Sequence, residues 1–209
     1  MVQKSEKEAK PAPRPRGRPR SFDTEATLAQ ATLTFWQRGY ASTSLDDLSQ
    51  ATGLNRPSLY GAFGDKHALY LQALRLYTEQ SDAAIAAAFE GRSLSEGLLR
   101  VYELALQLYY PADGTARGCL LIGTAATEAP RDQTIRQQLG DSLRGFNAAF
   151  EARLQRAVND GELPPGTDVA MRAQLASAVL HSMALRARAG DAREDLAAFA
   201  AASLDFVCR

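Results

Sequence analysis

Residues 42–66 read STSLDDLSQATGLNRPSLYGAFGDK, and this stretch decides the fold. Ser44 is a favourable helix N-cap, and the apolar residues that follow it recur at helical spacing. Gly53 permits the left-handed backbone that ends a helix, and Asn55 caps a second helix whose first turn tolerates Pro57. Two short helices joined by a glycine-containing turn predict a helix-turn-helix motif, whose second helix can enter the major groove of DNA.

This stretch, extended to Phe22 and Tyr70, resembles the signature of tetracycline-repressor-type (TetR family) regulators. Over the rest of the chain the resemblance is one of length and helical layout. It implies a DNA-binding head followed by a body that binds a small-molecule effector and forms a homodimer. The residues that carry the resemblance are Thr43, Leu48, Ala51, Gly53-Leu54, Ser58-Leu59-Tyr60, Phe63, Lys66 and Leu69.

The composition is that of a water-soluble globular protein with enough material for a large core. The chain has 209 residues, a formal net charge of zero and only two cysteines, Cys119 and Cys208. Two cysteines so far apart do not form a disulfide framework, which favours a reducing cytoplasm. The N-terminus is charged and no apolar run is long enough to cross a bilayer, so we expect no signal peptide and no membrane partner.

The charge is unevenly distributed, because the first twenty residues form a basic arm. Seven lysines and arginines oppose two glutamates there, a net charge of +5. We expect residues 1–20 to be disordered without DNA, since they lack apolar periodicity. Within them, Pro15-Arg16-Gly17-Arg18-Pro19 matches the core of the AT-hook, in which Arg16 and Arg18 enter a narrow minor groove. The alternative is a solvated basic tail that only adds counterion release.

Helical periodicity continues through the chain, and no alternating strand pattern occurs. The sequence predicts an all-α fold of about nine helices. We expect a helix-turn-helix domain over residues 21–66 and a ligand-binding and dimerisation domain over residues 67–209. The predicted helices after the head motif are 66–89, 94–109, 118–128, 131–159, 168–189 and 194–207.

The predicted head carries more acids than bases, so its DNA affinity must come from placed contacts and from the arm. Arg56 begins the second short helix and can donate two hydrogen bonds to guanine. Ser58 offers a hydroxyl and Pro57 an apolar surface, and we count the capping residue Asn55 with them. The family resemblance implies that Tyr60 and Lys66 hold phosphates and that Thr43 and Ser44 contact the DNA backbone through a helix N-terminus. Inward packing of Tyr60 is the alternative.

The body shows no catalytic or metal-ligand spacing around either histidine, so we predict no enzyme activity and no cofactor. The family resemblance implies a cavity for an effector of unknown identity. Cys119 is either a reactive thiol, activated by a helix N-terminus, or a small buried apolar residue. The candidate lining residues are Tyr77, Tyr102, Leu106, Tyr109, Cys119, Ile122, Phe146 and Phe150.

Small and apolar residues recur at helical spacing on the last two predicted helices. Paired across a two-fold axis, these helices would bury a four-helix interface. The candidate interface residues are Leu175, Ala178, Val179, Ser182, Leu185, Leu196, Phe199, Ala200, Ser203 and Leu204.

The sequence therefore predicts a ligand-responsive repressor that binds a palindromic operator in double-stranded DNA. An architectural DNA-binding dimer without an effector is the first alternative, because the basic arm alone would support it. An enzyme is the second alternative, and the absence of an acid–base or metal constellation argues against it.

Overall fold

The computed structural model describes residues 22–112 and 114–209, and within them it shows nine α-helices and no β-strand. The predicted all-α fold is confirmed. A π-helical turn, Leu121–Ala125, leads directly into the short α6. The segment predicted as one helix over residues 118–128 is therefore a π-helical turn followed by a short α-helix, and it begins later than predicted. The α-helices are α1 Thr24–Arg38, α2 Leu45–Thr52, α3 Arg56–Phe63, α4 Lys66–Phe89, α5 Leu94–Tyr109, α6 Ala126–Glu128, α7 Gln133–Asn159, α8 Val169–Ala189 and α9 Arg193–Val207.

Local capping explains where the two short helices begin and end. The Ser44 hydroxyl accepts a hydrogen bond from the Asp47 amide, and the Asp47 carboxylate accepts one from the Ser44 amide, which is a complete capping box. Gly53 ends α2 in the left-handed conformation, at φ 69° and ψ 8°. The Asn55 side chain then accepts the Ser58 amide and starts α3. Each end is thus fixed by residues within one turn of it.

The head, defined as α1–α3, is built around a small aromatic and aliphatic core. Phe35 and Leu48 are fully buried, and Leu59 of α3 is 2% exposed. The Phe35 ring meets the edge of the Tyr70 ring of α4 at 5.0 Å between centroids. Because Tyr70 lies in the first turns of α4, that helix is part of the head's core.

The body, defined as α5–α9, packs around the remainder of α4. The helices α4 and α5 lie against each other, while α7, α8 and α9 pack in sequence and α5 closes against α9. The Tyr102, Leu154 and Met183 side chains are fully buried in this bundle. The helix α4 therefore belongs to both parts of the molecule. In the part of the chain that the structure describes, no helix combines the length and hydropathy needed to cross a membrane.

Candidate DNA-binding surface, cavity and dimer face

The outer side of α3 presents most of the residues predicted to face DNA. Asn55, Arg56 and Pro57 are exposed, and Ser58 is half-buried. Tyr60 is 45% exposed, so its ring lies on the surface and the alternative of inward packing does not hold. The structure thus brings these five residues together at the N-terminal end of α3.

Arg56 is already paired in the absence of DNA. Its Nη2 atom lies 2.7 Å from both carboxylate oxygens of Asp46, and its Nε atom donates to Asp46 Oδ1 at 3.0 Å. Hydrogen bonding to Asp46, followed by the charge of that carboxylate, raises the pKa of Arg56. The pair is exposed on both sides, so the guanidinium can exchange Asp46 for a DNA acceptor without crossing a packed layer.

The Thr43 side chain is buried in the turn before α2, so the contact expected through the N-terminus of this helix would involve main-chain groups rather than the Thr43 hydroxyl. Thr43 is 1% exposed, and its hydroxyl donates to the Gly39 carbonyl at 2.7 Å. This bond closes the turn between α1 and α2, so the side chain serves the fold. Ser44 remains exposed, although its hydroxyl is engaged by Asp47 at 2.7 Å.

Lys66 is held at the start of α4, close to the DNA-facing helix. Its Nζ atom lies 4.5 Å from the centroid of the Tyr40 ring, a distance at which an ammonium is attracted to the ring face. Burial lowers the pKa of Lys66. The remaining predicted DNA contacts, Arg16 and Arg18, lie in the arm, outside the described residues.

A cavity of about 70 Å³ lies between α4, α5, α7 and α8. Four residues predicted from the sequence line it, namely Tyr77, Tyr109, Cys119 and Phe146. Nine others complete the wall: Ser81, Ala84, Ile85, Val101, Leu104, Ala105, Leu108, Leu180 and His181.

The other four predicted lining residues do not line this cavity. The Tyr102 hydroxyl donates to the Ala176 carbonyl at 3.2 Å, and Phe150 meets Phe89 edge-on at 6.2 Å between centroids. Leu106 is buried and Ile122 half-buried, both away from the cavity. For Tyr102 and Leu106 the physical reason is that α5 is apolar on more than one side, so its core-facing and cavity-facing residues carry the same kind of side chain.

Two polar side chains of the cavity wall are hydrogen-bonded within the protein, and two are not. The Tyr77 hydroxyl donates to Cys119 Sγ at 3.2 Å, and the Ser81 hydroxyl donates to the Tyr77 carbonyl at 2.8 Å. In contrast, the Tyr109 hydroxyl has no hydrogen-bond partner among the described residues, and the buried His181 Nε2 atom has none either. Burial lowers the pKa of His181, which keeps the imidazole neutral at neutral pH.

Cys119 is a buried thiol rather than an activated one. It is 6% exposed, and burial raises its pKa even though the Tyr77 hydroxyl and two backbone amides act in the opposite direction. A protonated, enclosed thiol is a poor nucleophile. Of the two alternatives for Cys119, the structure therefore favours the small buried apolar residue, because desolvation outweighs the amide dipoles.

Trp36 connects the head to the cavity wall. Its indole nitrogen donates to the Gly118 carbonyl at 2.9 Å, and its ring meets Tyr77 edge-on at 5.0 Å between centroids. Gly118 has φ +60°, and a Cβ there would lie 2.2 Å from the Ala184 carbonyl oxygen, so only glycine fits. Trp36 also lines a cleft of about 360 Å³ that shares Tyr77, Ser81, Ala84, Leu104 and Leu108 with the cavity.

An apolar face covers the outer side of α8 and α9. Leu175, Leu185 and Phe206 are 44%, 56% and 77% exposed, which is unusual for side chains of this size. A shallow groove crosses this face, lined by Leu175, Ala178, Val179, Ser182, Phe199, Ala202, Ser203, Phe206 and Val207.

Two of the predicted interface residues face inward instead. Leu196 is fully buried and Ala200 is 1% exposed, so both belong to the core of the subunit. Ser203 is 8% exposed and donates to the Ala200 carbonyl, while Leu204 is half-buried. Met171, Ala202 and Phe206, which the sequence prediction did not include, are also exposed on α8 and α9. Among the described residues, no group of three potential ligands lies close enough to hold a metal ion.

Comparison with known proteins shows what the chain is similar to. Residues 28–73 match the family described as "Bacterial regulatory proteins, tetR family", and residues 96–203 match "Tetracyclin repressor-like, C-terminal domain". The chain is 33% identical to the HTH-type transcriptional repressor ComR of Escherichia coli over 195 residues, which cover 90% of each chain. It is 31% identical to the uncharacterized HTH-type transcriptional regulator YezE of Bacillus subtilis, over 70% of this chain and 76% of that one.

Among solved structures, a cysteine mutant of the TetR family transcriptional regulator CifR superposes with a TM-score of 0.82 at 31% identity. The match covers 90% of this chain and 98% of that one. That structure is a complex with a 26-bp double-strand operator DNA.

Proposed function

Because the chain belongs to the TetR family and is a DNA-binding transcriptional repressor, we propose that it binds a palindromic operator as a homodimer and leaves it when a small molecule occupies the cavity. The observation that carries this proposal is the course of α4. This helix begins at Lys66, next to α3, and carries Tyr77, Ser81 and Ala84 on the cavity wall.

On DNA, α3 lies in the major groove and Arg56 exchanges Asp46 for a guanine edge. A bidentate contact of this kind discriminates between bases by roughly tenfold to a hundredfold. Tyr60 and Lys66 hold phosphates on either side of the groove, and the basic arm of residues 1–20 follows the adjacent minor groove. Deleting the arm is expected to flatten the plot of log affinity against log salt concentration, and an unchanged slope contradicts its contact with DNA.

Two heads reach successive major grooves only if a dimer fixes their separation, at roughly 34–36 Å or slightly more. The exposed apolar face of α8 and α9 is the surface we assign to this dimer. Its groove is almost wholly apolar, as expected of an interface core that is desolvated on association. A repressor must reach the chromosome, so the proposal includes a cytoplasmic location.

Ligand in the cavity acts on the head through two contacts. An enlarged cavity displaces Tyr77, whose ring abuts Trp36 of α1, and it shifts α4 itself. Packed interiors respond to such displacement in discrete steps. A tilt of α4 in each subunit changes the distance between the two Arg56-bearing helices, so one half-site loses contacts. The coupling is reciprocal and typically ~1–3 kcal/mol.

Footprinting on the DNA flanking the protein's own gene, followed by operator titration with and without a cavity ligand, tests the proposal. We expect a short protected palindrome and a weaker affinity when ligand is present. Broad protection of A·T-rich tracts supports the architectural alternative instead. A protected palindrome whose affinity no cavity ligand alters leaves a repressor without an effector.

A further inference from the structure

We infer that the cavity takes a small neutral alcohol, and best a phenol, whose hydroxyl bonds to Tyr109 and His181. This inference rests on the proposed function, in which the cavity is the effector site, and it adds the chemical class of the effector. It follows from three properties of the wall: its charge, its unpaired polar groups and its size.

The wall carries no charge with which to hold an ion. None of its thirteen residues is Asp, Glu, Lys or Arg, and the one titratable base, His181, has its pKa lowered by burial. A carboxylate or ammonium placed here would lose its hydration without gaining a counter-ion, which costs far more than an apolar contact returns. The ligand is therefore neutral and mainly apolar.

The unpaired groups specify a hydroxyl. The Tyr77 and Ser81 hydroxyls already donate hydrogen bonds within the protein. The Tyr109 hydroxyl and His181 Nε2 have no hydrogen-bond partner among the described residues. The His181 Nε2 atom is fully enclosed, and an enclosed polar atom without a partner is unfavourable. The Tyr109 side chain is 3% exposed and lines the cavity, so its hydroxyl is available to a ligand there. A ligand hydroxyl both donates and accepts, so one such group satisfies Tyr109 and His181 together.

The size of the cavity favours one ring and links binding to movement. An apolar cavity of roughly 150 Å³ accommodates benzene, and the cavity here measures about 70 Å³. A six-membered ring must therefore displace part of the wall, and the nearest yielding part is Leu108, which is 41% exposed and borders the cleft beside Trp36. Three aromatic rings, of Tyr77, Tyr109 and Phe146, face the space that the ligand ring would fill.

Three probes of similar shape test the inference on the full-length protein near neutral pH. Phenol carries the hydroxyl, toluene replaces it with a methyl group, and benzoate carries a charge. By calorimetry or thermal shift, we expect phenol to bind about three- to tenfold more tightly than toluene, the range for one net hydrogen bond. We expect benzoate to bind most weakly.

Two matched tyrosine variants locate the hydroxyl contact. Tyr109→Phe removes only the unpaired hydroxyl and should lower the phenol-to-toluene ratio, because the ligand hydroxyl then keeps only its bond to His181, while toluene still binds. Tyr102→Phe removes a buried hydroxyl that bonds to Ala176 outside the cavity, and it should leave the ratio unchanged.

The inference is overturned if toluene equals phenol in the unmodified protein, if benzoate binds best, if none of the probes binds, or if Tyr109→Phe preserves the ratio. Operator titration in the same samples separates this outcome from failure of the proposed function. Phenol that binds with the expected preference but leaves operator affinity unchanged would uphold the ligand chemistry and refute the effector role.

Discussion

Replacing Trp36 with phenylalanine should weaken the communication between the cavity and the DNA-binding head. The substitution removes the 2.9 Å hydrogen bond from the indole to the Gly118 carbonyl and substitutes a smaller ring against Tyr77. It leaves the capping of α2 and α3, and hence the DNA-facing surface, untouched. The perturbed contact is thus between the head and the cavity wall.

Trp36→Phe should lower the free energy of unfolding, because it leaves the Gly118 carbonyl without its hydrogen-bond donor. A buried carbonyl that loses its donor costs about 1–3 kcal/mol. In a chain of this size each kcal/mol lowers the melting temperature by roughly 2–4 °C, so we expect a fall of roughly 2–12 °C. The protein should stay folded, because phenylalanine keeps an apolar ring beside Tyr77.

The functional assay is a thermodynamic cycle of operator affinity with and without a cavity ligand. We expect Trp36→Phe to retain most of its operator affinity without ligand and to lose the part of the ligand's effect that passes through Trp36, leaving the part that the shift of α4 carries. Tyr70→Phe is the matched control, since it breaks a different bond between the head's core and the body, the 2.7 Å contact between the Tyr70 hydroxyl and Thr124, without touching Trp36 or Tyr77. Full coupling in Trp36→Phe, or an equal loss in both variants, would refute a route through Trp36.

Three further predictions concern other parts of the molecule. Arg56→Ala should remove most of the preference for operator over scrambled DNA, and an unchanged preference in competition binding excludes base reading by that residue. Asp46→Asn, which frees Arg56 and removes a negative charge, should raise the affinity for both DNAs in the same assay. Ala178→Glu, on the exposed α8 face, should give folded monomers by sedimentation, whereas Ala200→Glu, in the subunit core, should unfold the protein; a dimer formed by Ala178→Glu places the interface elsewhere. Burial raises the pKa of both thiols, that of Cys208 to about 11, so accessibility decides their relative rates. In the native protein near neutral pH the buried Cys119 should react with a thiol reagent more slowly than the half-buried Cys208; faster labelling of Cys119 contradicts its enclosure.

The helix boundaries were predictable because local chemistry sets them. Ser93 caps α5 through a capping box with Glu96, and Gly190 ends α8 in the left-handed conformation. Neither interaction depends on distant parts of the chain, so the residue types alone indicate where a helix starts and stops. The exception is the segment before α7, where a π-helical turn replaces a regular helix and no cap marks its start.

The cavity wall was only half predictable, because periodicity shows that a helix has an apolar side but not what that side meets. On α5, Tyr102 faces α8 while Val101 and Ala105 face the cavity. On α9, Ala200 is in the core while Phe206 is in solvent. Both helices are apolar around much of their circumference, so the assignment of each residue requires the packing of the whole bundle.

The acidity of the head has a structural origin that reconciles it with DNA binding. Asp23, Asp47 and Asp65 each accept backbone amides at the start of a helix, where the helix dipole compensates a negative charge. Their carboxylates hold α1, α2 and α4 in place, so replacing them to gain DNA affinity would loosen the scaffold that positions α3. Asp46 caps nothing and bonds only to Arg56 among the described residues. Replacing Asp46 is consequently expected to make the head less acidic without removing a helix cap.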